Sequence, residues 1–349
     1  MVDYLIVGSG LAGLCFAETA LQNGSSILVY DDASQNSSKV AGGMYNPVVL
    51  KRLSPTWKAI EFMAYADSFY ADLEQRLDLT FDYKYPVCRI FHSIVEQNNW
   101  FQAADHPVLQ EFLDTNLIKE IPKGIDAPFG MGKVKHTGYV DTKQLLECYK
   151  TGLKQHGLLI QETFDYNAIQ FLENGIEYKH QQFKQVIFAE GFGLYANPFF
   201  NQLPLEGTKG EVLIVRIPNF STQYIVKAGV FIIPLGGDLF KVGATYHWTD
   251  KTSIPTSEGK EELISQLKDF LKLDFEIVDH LAGVRPTVTD RRPMIGEHPK
   301  YRNLYILNGL GTRGVTLGPN MAKYLYEHIE HGTPIEPLVD IKRFRKVVW

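Results

Sequence analysis

Three glycines near the start of the chain are spaced for contact with a diphosphate. Gly8, Gly10 and Gly13 follow the apolar residues 4–7 and open a run of helical spacing that continues to residue 21. Gly8 permits a sharp exit from a strand, Gly10 leaves no Cβ where a pyrophosphate approaches, and Gly13 lets the helix lie close to the sheet. The free N–H groups and the positive end of that helix would then face the diphosphate.

A carboxylate completes this fingerprint. Residues 27–30 are predicted to form a second strand, and Asp31 ends it roughly 20 residues after Gly8, which suits a carboxylate that accepts both ribose hydroxyls of an adenine dinucleotide. Asp32 follows and no arginine is adjacent, so a 2′-phosphate would be repelled and NADP is disfavoured. The cofactor contacts predicted in this region are Gly8, Ser9, Gly10, Leu11, Ala12, Gly13, Asp31 and Asp32.

The elements that must position these groups predict a two-domain α/β protein. Helix and strand patterns resume at residues 143–155, 158–160 and 186–191, so the Rossmann-like domain is discontinuous in sequence. Residues 209–246 are rich in Val, Ile and Phe, which favours a mostly antiparallel sheet with flanking helices such as the one at residues 261–271. The predicted segments are 1–82, 138–205 and 281–349 for the nucleotide domain, and 83–137 and 206–280 for a substrate domain.

Composition bounds the class of protein. With 349 residues and a formal net charge of −5, the chain is long enough for two domains and implies no general affinity for polyanions. Cys15, Cys88 and Cys148 show no CxxC pair and no metal-ligand spacing, so we expect reduced thiols and no metal. We find neither a signal peptide nor an apolar run near the ~20 residues that span a bilayer, and expect a soluble, cytoplasmic protein. The basic residues expected to form a solvated end are Lys342, Arg343, Arg345 and Lys346.

Several motifs occur in an order that resembles one family over nearly the whole chain. The motifs are the Gly8 fingerprint with Asp31, Ala41-Gly42-Gly43-Met44, Gly138-Tyr139-Val140-Asp141, Ala189-Glu190-Gly191, Gly243-Ala244-Thr245, Gly283-Val284-Arg285-Pro286 and Gly309-Leu310-Gly311-Thr312-Arg313-Gly314. Together they resemble the D-amino-acid-oxidase-like family of FAD-dependent oxidoreductases, which includes glycine oxidase, sarcosine oxidase and D-amino-acid dehydrogenase.

The resemblance implies an FAD-binding domain of the glutathione-reductase type, with the isoalloxazine ring between the two domains. The last glycine turn would begin a helix beneath the ring, where N–H donors and the positive helix end favour negative charge. Some relatives attach FAD through a cysteine near this turn, and none of the three cysteines lies there, so binding should be non-covalent. The further cofactor contacts implied are Gly42, Gly43, Met44, Ala189, Glu190, Gly191, Gly311, Thr312, Arg313 and Gly314.

The resemblance also implies oxidation of a C–N bond by hydride transfer to flavin N5, after which the imine hydrolyses in water. A guanidinium grips a carboxylate with two hydrogen bonds, and Arg285 stands where glycine and sarcosine oxidases hold such an arginine; a structural ion pair is the alternative. Arg313 is a second candidate, or a cofactor contact. Tyr246 is assigned to the pocket wall, where many relatives carry an acid one position on, so their substrate cannot be transferred directly.

The roles of one lysine and one histidine stay open. Lys51 is an oxygen-activating cation or a solvent-facing lysine. His247 is a weakly placed base or, as we favour, a structural imidazole. The expected activity is FAD-dependent oxidation of a small amino acid or of a secondary amine that carries a carboxylate.

Two alternative functions remain. The segments Leu310-Gly311-Thr312-Arg313-Gly314 and Gly243-Ala244-Thr245-Tyr246 resemble the oxidase half of the bifunctional enzyme that acts on carboxymethylaminomethyl-uridine in tRNA. That substrate is also a secondary amine with a carboxylate, so Arg285 would serve again, although the chain shows no broad basic surface for nucleic acid. The other alternative is a flavin-binding component without catalytic activity, against which the retention of Arg285 argues.

Overall fold

A mixed sheet, called here the first sheet, forms the base of the molecule. The computed structural model describes residues 1–118, 120–347 and 349. Parallel pairing joins the strands of the first sheet in the spatial order Leu159–Ile160, Ile27–Tyr30, Val2–Val7, Gln181–Phe188 and Leu304–Asn308. Antiparallel strands extend it at Gly175–Tyr178, Ile169–Leu172 and Met294–Glu297.

The helices cover the faces of the sheets. They are α1 (Leu11–Gln22), α2 (Ser37–Val40), α3 (Ala59–Leu77), α4 (Ile94–Ala104), α5 (Thr142–Gln155), α6 (Ser257–Lys268) and α7 (Gly314–His331). Short 3-10 segments lie at Leu109–Glu111, Tyr166–Ala168, Gly191–Ala196 and Ile341–Arg343. Within the described residues, no helix combines the length and the apolar composition that crossing a bilayer requires.

Local sequence explains where these helices begin and end. The predicted N-cap of α5 is confirmed, because the Asp141 carboxylate accepts a hydrogen bond from the Gln144 N–H at 3.0 Å. The Asp141 N–H itself donates to the carbonyl of Phe81 at 2.7 Å, so the reciprocal half of a capping box is not formed. Helix α7 ends at Gly332, which adopts φ 66° in the left-handed region that suits glycine.

The first sheet is buried on both faces. Helices α1, α5 and α7 pack on one face through a cluster that includes Leu14, Leu145 and Leu325. The other face packs against an aromatic cluster that includes Phe164 and Phe188. Continuous burial of strands such as Ile27–Tyr30 explains their unbroken apolar sequence.

A second sheet lies against the first and is mostly antiparallel, as predicted. Its strands, in spatial order, are Glu276–Arg285, Thr208–Arg216, Leu239–Gly243, Phe231–Gly236, Ile225–Lys227, Val87–Ile90, Met131–Val134 and Leu113–Ile118. The pair Ile225–Lys227 and Val87–Ile90 is parallel. Helix α6 buries Leu263 and Leu267 against this sheet. Smaller sheets join Met44–Tyr45, Gly138–Val140 and Asp82–Tyr83, and also Val48–Val49 with Ser54–Pro55.

The predicted fold class is confirmed, whereas the domain boundaries stay a prediction. Two of those boundaries fall inside strands, because Asp82–Tyr83 spans the limit at residue 82 and Glu276–Arg285 spans the limit at residue 280. One further expectation is wrong. Arg343 is not part of a solvated end, since its side chain is 14% exposed and its Nε lies 2.8 Å from the Asp290 carboxylate.

Candidate active site

One cavity of about 690 Å³ brings together residues from both sheets. The predicted cofactor contacts that line it are Gly8, Gly10, Leu11, Ala12, Asp31, Asp32, Gly42, Gly43, Met44, Ala189, Glu190, Gly191, Gly311, Thr312, Arg313 and Gly314. Tyr246, Arg285 and Lys51 line it as well. Ser9 and Gly13 are packed behind this surface, and His247 is not part of it.

The three fingerprint glycines have different surroundings. A Cβ on Gly8, which has φ 99°, would lie 2.5 Å from the Ala189 carbonyl oxygen, and one on Gly13 would lie 1.9 Å from the Gly8 oxygen. A Cβ on Gly10 would meet the Ser38 Oγ at 3.4 Å, which is ordinary contact. The protein itself therefore requires Gly8 and Gly13, while Gly10 borders open space that a bound group can use.

The start of α1 offers donors to that space. Gly10, the N-cap of this helix, has no side chain to cap it, and the Leu11 N–H donates to the Ser38 hydroxyl at 3.2 Å. The Ser9 hydroxyl is buried beside it without a hydrogen-bond partner among the described residues. A buried orphan hydroxyl and the other N–H groups of the first helical turn are donors that a diphosphate accepts from, so the residues present fit that group.

Asp31 has a partner that the local motif did not reveal. Its Oδ2 lies 2.6 Å from the Nζ of Lys150 on α5, and its Oδ1 accepts from the Ser9 N–H at 3.4 Å. Asp32 accepts from the Ser34 N–H at 2.9 Å, and although burial acts against it, the hydrogen bonds from Ser34 and Thr163 lower the pKa of Asp32. The predicted repulsion of a 2′-phosphate is reduced, because Lys150 neutralises one of the two acids.

Glu190 is a buried acid in the same end of the cavity. Its Oε2 accepts from the Asn197 amide at 2.7 Å, and the Tyr166 hydroxyl donates to its other oxygen. Burial raises the pKa of Glu190 to about 7, and these two hydrogen bonds oppose the rise. The carboxyl group is thus shared between its neutral and charged forms near neutral pH.

The loop at residues 41–44 is held between the strand Gly138–Val140 of a smaller sheet and the second sheet. Gly43 has φ 69°, and a Cβ there would lie 1.9 Å from the Val140 carbonyl oxygen. A Cβ on Gly42 would lie 2.8 Å from the ring of Phe231 on the second sheet. The Nζ of Lys241, also on the second sheet, donates to the Ala41 carbonyl at 3.0 Å. The paired glycines are therefore required by close backbone packing, and Lys241 ties this loop to the second sheet.

A second helix N terminus faces the cavity. Helix α7 begins at Gly314, and no described side chain caps it. Gly311 reaches φ 58° in the turn before it, and Thr312 and Gly314 line the cavity. Helices α1 and α7 approach closely, since a Cβ on Gly318 would lie 2.9 Å from the Cys15 Sγ. Two positive helix ends thus point into one cavity.

Arg285 ends its strand inside the cavity and is half-buried. Its Nη1 donates to the carbonyls of Lys209 and Thr245 at 3.3 Å each, and its guanidinium lies 5.2 Å from the centroid of the Tyr246 ring. Burial lowers the pKa of Arg285, yet a guanidinium remains charged. Since its partners among the described residues are backbone carbonyls and a ring, the positive charge is left without a carboxylate. This argues against the structural ion pair.

A buried charged network supports the strand beside Arg285. Lys209 is 1% exposed, and its Nζ lies 2.5 Å from the Asp250 carboxylate and 3.4 Å from that of Glu211. Glu211 also accepts from the Thr256 N–H at 2.9 Å, and His280 Nε2 lies 2.7 Å from its carboxylate. The sequence of the strand gave no sign that these charged side chains are buried.

The remaining predicted site residues are Arg313, Lys51 and His247. Arg313 is exposed at the cavity; partial burial lowers its pKa, and the charges of Arg292 and Arg291 lower it further. Lys51 is exposed and lines the cavity. His247 lies 3.4 Å from the Glu262 carboxylate and exchanges backbone hydrogen bonds with residue 209, which favours the structural assignment over a catalytic base.

The fold and the cavity define a class of protein: an α/β protein with a dinucleotide fingerprint, whose cavity reaches a second sheet. That sheet carries Arg285, which has no carboxylate partner among the described residues. Over residues 3–328 the chain matches the family described as DAO, FAD dependent oxidoreductase, and it belongs to that family. The chain is therefore an FAD-dependent oxidoreductase.

Similar proteins agree with this assignment. The chain is 22% identical to a glycine oxidase of Pseudomonas aeruginosa over 95% of each chain. It is 24% identical to the tRNA 5-methylaminomethyl-2-thiouridine biosynthesis bifunctional protein MnmC of Legionella pneumophila, covering 92% of this chain and 53% of that protein. It thus spans about half the length of that relative. The crystal structure of a glycine oxidase from Bacillus cereus superposes with a TM-score of 0.80 at 19% identity, covering 97% of this chain and 99% of that one.

Proposed function

We propose that this enzyme oxidises the C–N bond of a small amino acid or secondary amine that carries a carboxylate. The observation that carries the proposal is Arg285, a half-buried guanidinium in the cavity whose described partners are neutral. A planar guanidinium forms two parallel hydrogen bonds to a carboxylate, and its position on a strand fixes their direction. Burial in the cavity strengthens this attraction, because fewer water molecules screen it.

The other site residues act by positioning. Tyr246 covers one face of the Arg285 guanidinium, which limits its rotation. The substrate loses a hydride from Cα and a proton from nitrogen. The resulting imine takes up water and releases an oxo acid together with ammonia or, from a secondary amine, a primary amine. When bound, FAD supplies the acceptor for the hydride. The uncapped end of α7 offers N–H donors and a positive dipole to negative charge in the cavity.

Arginine variants test the proposal. Arg285→Lys keeps a charge without the paired geometry, and Arg285→Ala removes both. The rate of anaerobic flavin reduction by sarcosine should fall in both variants, further in Arg285→Ala by on the order of 1–3 kcal/mol in transition-state stabilisation. Flavin content and the rate with a simple amine that has no carboxylate should change little. Arg216→Ala, at the exposed far end of the strand Thr208–Arg216, is the matched control.

The proposal fails if both Arg285 variants reduce as fast as the parent enzyme with sarcosine. Loss of FAD in both variants would instead give Arg285 a structural role. The experiment should be run with a panel of glycine, sarcosine, proline and D-amino acids, so that an unsuitable substrate is not mistaken for an inactive enzyme.

A second candidate is the oxidation of carboxymethylaminomethyl-uridine in tRNA. Tyr246 and Trp248 are 41% and 40% exposed with ring centroids 5.4 Å apart, and Arg291, Arg292 and Arg313 carry neighbouring charges. Exposed aromatic rings stack on bases, and arginines contact phosphates. Flavin reduction by a modified tRNA that weakens steeply with added salt, and no reduction by free amino acids, would favour this candidate.

A further inference from the structure

The part of the cavity beneath the second sheet is positively charged. Lys227 and Arg285 line it from that sheet, and Lys51 and Arg313 also line the cavity. The acidic lining residues of the described chain belong to the opposite, nucleotide end; they are Asp31, Asp32, Glu162 and Glu190. A monocarboxylic amine would use one of these cations, so the substrate end holds more positive charge than such a ligand requires.

Lys227 is a half-buried cation on the second sheet that the proposed reaction leaves unused. It ends the strand Ile225–Lys227, and its Nζ donates to the carbonyls of Ala228 at 2.8 Å and Gly229 at 2.7 Å. Burial lowers the pKa of Lys227 to about 8, and the charge of Arg89 on the adjacent strand adds to this. Arg89 is itself paired with Glu96 at 3.3 Å. Near neutral pH, Lys227 is therefore charged and hydrogen-bonded to neutral carbonyls.

Strand register places Lys227 on the face of the second sheet that borders the cavity. Lys227 pairs with Phe231, Phe231 with Gly243 and Gly243 with Val212. Residues directly opposite one another in antiparallel strands project to the same face. All four residues line the cavity, so together they form a row across the cavity wall that the second sheet provides.

Arg285 reaches the same face of the second sheet, at a level two residues away from this row along the strands. Its guanidinium lies over Gly210, where a Cβ would be 1.8 Å from Nη2, and it donates to the carbonyl of Thr245, two residues after the end of the neighbouring strand Leu239–Gly243. Gly229, whose carbonyl accepts a hydrogen bond from Lys227, precedes Phe231 by two residues. It is therefore displaced from the row of four residues by the same distance as Gly210 and Thr245. The two charged groups therefore sit at one level along the strands, separated by about two strand spacings, or roughly 10 Å.

We propose that Lys227 binds a second acidic group of the substrate, so that the enzyme oxidises a short dicarboxylic amine. This inference rests on the proposed function, because Arg285 holds the carboxylate beside the reacting C–N bond. Each charge-assisted contact spans about 2.8 Å, so a gap of roughly 10 Å accommodates carboxylates roughly 4–5 Å apart. An N-carboxymethyl amino acid such as iminodiacetate has that spacing, and its oxidation and hydrolysis would release glyoxylate and glycine.

Two unreactive analogues separate the second carboxylate from the first. Thiodiacetate and methylthioacetate carry sulfur in place of the amine and differ by one carboxylate. Their dissociation constants are measured on the flavin-loaded enzyme from the change in flavin absorbance. The parent should bind thiodiacetate at least ~10-fold more tightly. Lys227→Met should abolish that preference, Lys227→Arg should retain most of it, and Lys272→Met, at an exposed lysine of the same domain, should leave it unchanged.

The outcomes distinguish this inference from the proposed function. Equal binding of the two analogues by the parent, or a preference that survives Lys227→Met, overturns the role of Lys227. Equal weakening of both analogues in both Lys227 variants also overturns it, because that result indicates a structural lysine. If the role of Lys227 is overturned and sarcosine still reduces the flavin, the proposed function stands and only this further inference fails. If neither iminodiacetate nor any member of the panel of glycine, sarcosine, proline and D-amino acids reduces it, both proposals fail.

Discussion

Lys150 on α5 places its Nζ 2.6 Å from the carboxylate of Asp31 at the end of the second strand. Both side chains are largely buried, at 16% and 14% exposed. The carboxylate predicted to bind the ribose is thus already oriented by a cation from another element. A fixed acceptor loses less freedom when it binds hydroxyl groups.

This pair gives the first prediction. Asp31→Ala should weaken FAD binding by roughly 1.5–3 kcal/mol, the range for hydrogen bonds to a charged acceptor. Lys150→Met should cost less than 1 kcal/mol or so in FAD affinity, because the ribose acceptor remains. Titration of apoprotein with FAD measures both. Adding Lys150→Met to Asp31→Ala should restore thermal stability, since it removes a buried charge without a partner. Unchanged FAD affinity in Asp31→Ala would show that Asp31 is not on the ribose.

A second prediction uses two glycines of the same turn as a matched pair. Gly10→Ala should fold normally, because its Cβ meets ordinary contacts, and should bind FAD about 10-fold or more weakly, because that Cβ enters the space assigned to the diphosphate. Gly13→Ala places a Cβ 1.9 Å from the Gly8 oxygen and should destabilise the apoprotein itself by on the order of 1–3 kcal/mol. Urea unfolding and FAD titration separate the two effects. Equal FAD affinity for Gly10→Ala and the parent would contradict the assignment.

The elements that could be predicted from sequence are those whose structure is determined by residues close together in the chain. The fingerprint turn follows from glycines whose φ angles and close contacts involve near neighbours, such as Gly13 against Gly8. The cap of α5 follows from Asp141, three residues before its donor. The antiparallel second sheet follows from β-branched and aromatic residues in its strands. Each of these signals acts within a few residues, so a single sequence contains it.

The residues that sequence reasoning missed line the cavity or contact its lining residues from distant segments of the chain. Lys150 meets Asp31 across 119 residues of sequence, and Lys241 meets Ala41 across 200. Lys227 is separated from its strand partners by ordinary turn lengths, but its direction depends on the register of the whole sheet. A lysine in a sequence is usually solvated, and what marks these three is tertiary packing that leaves them half-buried. The buried Lys209 network escaped prediction for the same reason.

The third prediction concerns Glu190, whose pKa is raised by burial from an ordinary 4.5 to about 7. An acid that binds its proton more tightly in the folded state makes folding less favourable as pH rises from about 4.5 to about 7, and the loss is complete above that window. The full effect corresponds to roughly 3 kcal/mol.

Glu190→Gln keeps the shape of the neutral acid and cannot ionise. Its free energy of unfolding, relative to the parent, should therefore rise across this pH window and level off near pH 8, as measured by urea unfolding of FAD-saturated protein at several pH values. Glu162→Gln is the control, because Glu162 lines the same cavity but is 55% exposed and paired with Lys179, so its substitution should shift the curve by less than about 1 kcal/mol at any pH. If the curves for Glu190→Gln and the parent run parallel, the pKa of Glu190 is not raised in the folded protein, and the assignment is wrong.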